Sequence, residues 1–73
     1  MSDSLAEALP HQMERVRHVL TQYEETQREC GDRVNCHFAI MMIKSSLAAA
    51  EKATAAGDVV AMLACYEDLK EIQ

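Results

Sequence analysis

Two glycines and a single proline are all that interrupt this chain, and they leave it almost nothing to build but helices. A small sheet needs a tight turn every few residues, and such turns draw on Gly, Pro and Asn. Here Gly31 and Gly57 cut the chain into three segments of helical length. Alanine and straight-chain residues fill them, and these favour helix. The aromatics are only Tyr23, Phe38 and Tyr66, so Met, Leu, Ile, Val and Ala must make the core. A core drawn from 73 residues leaves about 3–5 kcal/mol of net stability. Folds of this size gain the remainder from a disulfide, a metal, very regular packing or self-association.

The fold class expected is all-α: a three-helix up-down-up bundle in one domain, 1–73, with helices at about 4–29, 34–56 and 58–72. In the first, Leu5, Leu9, Met13, Val16, Leu20 and Tyr23 recur at steps of three and four, one helical stripe. Arg15, Arg17, Glu24 and Glu25 fall on the solvated face. Ser4 followed by Glu7 has the spacing of a capping box. Pro10 conflicts with it, because a proline inside a helix removes a hydrogen bond and crowds the carbonyl four residues back. A first helix kinked at Pro10, or in two parts, follows. Gly31 supplies a left-handed C-cap, and Asp32 or Asn35 caps the second helix. Gly57-Asp58 closes that helix and caps the third, whose apolar residues are Val59, Met62, Leu63, Tyr66, Leu69 and Ile72. Short linkers favour antiparallel neighbours.

The second segment is apolar on nearly all sides from Phe38 to Ile43 and alanine-rich from Leu47 to Ala56. A helix without a polar face needs neighbours on more than one side. Two short helices cover it incompletely, so a residual apolar patch should meet a partner. The interaction residues expected are Phe38, Ile40, Met41, Met42, Ile43, Leu47 and Met62. Methionine fills gaps in cores and also suits adaptable binding surfaces. A two-fold homodimer is the commonest solution for such a patch.

The formal net charge is −5, distributed as −3, +1 and −3 over residues 1–30, 31–57 and 58–73. This disfavours nonspecific contact with nucleic acid or an anionic membrane. Bases are scattered among acids, and the third helix is acidic, unlike a DNA-recognition helix. Asp3 and Glu7 stand where a secretory leader would carry bases, so no leader is expected. Three cysteines, an odd number, then suggest reduced thiols in a cytoplasm. The longest charge-free run, Val34 to Ile43, is about half of a membrane span.

Cys30, Cys36, His37 and the distant Cys65 are the one metal-type grouping. Cys30-x5-Cys36 is longer than a zinc knuckle, and adjacent Cys36 and His37 diverge on a helix. His11 and His18, seven apart, share a face and could sense pH or support a metal; as boundary residues they would do neither. Glu24-Glu25 and Glu67-Asp68 lack the enclosure that catalytic carboxylates need. Ser45-Ser46 lie mid-helix without an oriented base or oxyanion site. No enzyme activity and no cofactor are expected.

Leu9-Pro10-His11, Met13, Arg15-Val16-Arg17 and Tyr23, together with Gly57-Asp58-Val59-Val60-Ala61-Met62-Leu63 and Tyr66-Glu67-Asp68-Leu69-Lys70, resemble a group of small hypothetical proteins of bacterial prophages. The resemblance spans both ends and skips Cys30 to His37. It implies a phage or prophage origin in a bacterial cytoplasm and carries no activity or site residues. The reading is therefore a non-enzymatic protein-interaction module whose partners are itself and another, unknown protein. Two alternatives stand beside it: an acidic inhibitor of a nucleic-acid-binding complex, which needs an aligned acidic row, and a metal- or redox-responsive protein using Cys30, Cys36 and His37.

Overall fold

A computed structural model of the chain describes residues 4–73, the side chain of Asp32 excepted. Asp3 and the Asp32 cap therefore lie outside the described residues. Three helices form: α1 (Leu5–Cys30), α2 (His37–Ala56) and α3 (Val59–Lys70), with a 3-10 turn at Gly31–Arg33 between the first two. No strand occurs among the described residues. Each helix packs on both of the others.

The core follows the α1 stripe. Leu9, Met13 and Val16 are buried against Ile43, Leu47, Ala50 and Ala53 of α2 and Met62 and Leu69 of α3. Leu5, Leu20, Tyr23, Tyr66 and Ile72 pack around its margin, half-buried. Leu9, Val16 and Leu69 have no solvent exposure.

Helix ends depart from the expectation in several places. α1 runs unbroken through Pro10, so the two-part alternative does not hold. The loss is confined to one bond, the donor that Pro10 lacks towards the Ala6 carbonyl. Ser4 has N-cap geometry (φ −70°, ψ 157°) but its side chain caps nothing; its carbonyl accepts instead from the Glu7 and Ala8 amides. The capping box is thus absent. Gly31 takes a positive φ of 57° with ψ −127°, outside the left-handed helical region expected of it. α2 begins at His37, three residues later than 34, because Val34 is extended. Its N-cap residue is Cys36, and Asn35 Oδ1 accepts from the His37 amide at 3.1 Å. α3 ends at Lys70, short of 72.

Gly57-Asp58 behaves as its chemistry demands. Gly57 is left-handed (φ 67°, ψ 25°). The Gly57 amide donates to Thr54 O and the Asp58 amide to Ala53 O, the double bond of a Schellman motif. Asp58 Oδ1 then accepts from the Ala61 amide at 3.1 Å, capping α3.

Two side chains join elements that backbone bonds leave separate. Gln27 Nε2 donates to Gly31 O at 2.8 Å while its Oε1 accepts from the Cys36 amide at 2.6 Å, bracing the α1–α2 connection. Arg15 was expected on the solvated face. It is half-buried, and its Nη2 donates to Leu69 O at 2.7 Å, serving a carbonyl of the last turn of α3.

Candidate functional site

α2 carries only three charged residues in its 20 positions, Lys44, Glu51 and Lys52. At about 100° per residue, these and the apolar residues sort into distinct faces. The inner face holds Ile43, Leu47, Ala50 and Ala53, all buried. One flank is polar: His37, Lys44 and Glu51 recur every seven residues, and Lys44 Nζ lies 3.6 Å from Glu24 Oε2 of α1. The remaining surface is exposed, and its second half borders α3. Phe38, Met42, Ser45, Ala49, Lys52 and Ala56 follow one another there at alternating steps of four and three, and all are exposed. Lys52 is the only charge on that line.

Phe38, Met41 and Met42 are 73%, 68% and 52% exposed. They belong to a surface that is exposed along the whole of α2, Ala49, Lys52 and Ala56 included. α3 has 12 residues against 26 in α1 and 20 in α2. At 1.5 Å per residue it extends about 18 Å, roughly half the length of α1. Beyond it, the Gln73 carbonyl meets the Tyr23 hydroxyl at 3.4 Å. Further along, an open furrow of about 250 Å³ between α2 and α3 is lined by Ala49, Ala53, Ala56, Ala61 and Cys65 with Lys52 and Asp58 at its edge.

The expected interaction residues divide. Phe38, Met41 and Met42 share the open face, and Ile40 is half-buried. Ile43, Leu47 and Met62 lie in the intramolecular core, at 4%, 6% and 9% exposure. These three are corrected from surface to core: a segment apolar all round gives no period by which to tell its inner side from its outer. Val59, Val60 and Leu63 form a second exposed group on the first turns of α3, although Val59 and Leu63 were expected on that helix's apolar face.

Other chemistry is dispersed. Cys30 and Cys65 are half-buried and Cys36 is buried, all as free thiols. Among the described residues, no three His, Cys, Asp or Glu side chains are placed to hold a metal ion, so Cys30, Cys36 and His37 do not assemble. His11 and His18 are exposed on α1, with His18 Nε2 3.6 Å from Glu14 Oε1. Two acids pair with bases on their own helices: Glu14 also lies 3.5 Å from Arg17, and Glu67 lies 3.7 Å from Lys70.

No protein-family model, curated protein or solved structure matches this chain.

Proposed function

We propose that the chain is a non-enzymatic helical interaction module, an up-down-up bundle in one domain, that self-associates and docks a protein partner through the outer face of α2. One observation carries this reading: three large apolar side chains stand open to water on a helix face with a single charge. Contiguous apolar surface of this kind marks interaction sites in small proteins. The Lys44–Glu24 pair, 20 positions apart in sequence, supports the antiparallel course of α1 and α2. Among the described residues no helix is long and apolar enough to cross a membrane, and a bacterial cytoplasm with a phage or prophage origin belongs to the same proposal.

Light scattering coupled to size exclusion, in reducing buffer over a wide dilution series, tests it. The expected result is a dimer that dissociates on dilution. Phe38→Asp should give monomer with an unchanged far-ultraviolet circular dichroism spectrum, since Phe38 has little to lose within one chain. A wild-type chain that stays monomeric throughout overturns the self-association.

A further inference from the structure

We draw no further inference here: the strongest candidate, the open furrow between α2 and α3 lined by Ala49, Ala53, Ala56, Ala61 and Cys65, is an apolar groove, and nothing in the structure shows what covers it.

Discussion

At the scale of single residues, Gly31 and Gly57 pose different backbone demands behind the same amino acid. Gly57 sits in the left-handed helical region, whereas Gly31 pairs φ 57° with ψ −127°. A Cβ at either position would meet nothing within 4 Å, so substitution acts through the backbone alone. Alanine in the left-handed region costs about 1–2 kcal/mol, while the Gly31 conformation belongs to a region nearly closed to side chains, with a cost of about 2–3 kcal/mol. Urea denaturation should therefore show Gly31→Ala losing about 1 kcal/mol more than Gly57→Ala. Equal losses would mean that the turn at Gly31 relaxes freely. Both glycines are legible in the sequence as helix stops, but the ψ of Gly31 is not. It depends on the 3-10 turn that follows and on the Gln27 amide holding the Gly31 carbonyl, contacts that no local pattern encodes.

Among the elements, the α1–α2 connection is braced by Gln27. Gln27 accepts from the Cys36 amide at 2.6 Å and donates to Gly31 O at 2.8 Å, linking the end of α1 to the start of α2. Gln27→Ala removes both bonds and strands the Cys36 amide of a buried residue, so chemical denaturation should show a loss of about 1–3 kcal/mol. An exposed glutamine elsewhere, such as Gln22, should change stability by less than about 0.5 kcal/mol when replaced by alanine. If the two losses agree, the brace contributes nothing. The contrast also shows which element boundaries were readable. The α1 stripe and Gly57-Asp58 obey rules of period and capping that act within a few residues. The start of α2 does not, because the amide of its N-cap residue Cys36 is served from nine positions away and Val34 delays the helix. Arg15 was misread for the same reason: its partner, Leu69 O, is 54 positions distant.

Across the whole molecule, the site was legible only as a region. The segment from Phe38 to Ile43 was plainly too apolar for one neighbour, yet uniform apolarity hides the boundary between core and surface. That boundary follows the angle around α2: Phe38, Met41 and Met42 stay open while Ile43 and Leu47 go inside. The consequence is a coupling between association and stability. A core of this size supplies about 3–5 kcal/mol, so any free energy gained in a dimer is a large fraction of the total. Ligand-type linkage then makes the melting temperature depend on chain concentration. Thermal scans should show Tm rising by about 3–5 °C for each tenfold increase in concentration. Phe38→Asp should flatten that dependence and leave Tm at the dilute limit of the wild type, because a side chain 73% exposed in the single chain holds little of its core together. A variant that melts well below that limit would place Phe38 in the stability of the monomer, and its exposure would then no longer account for association.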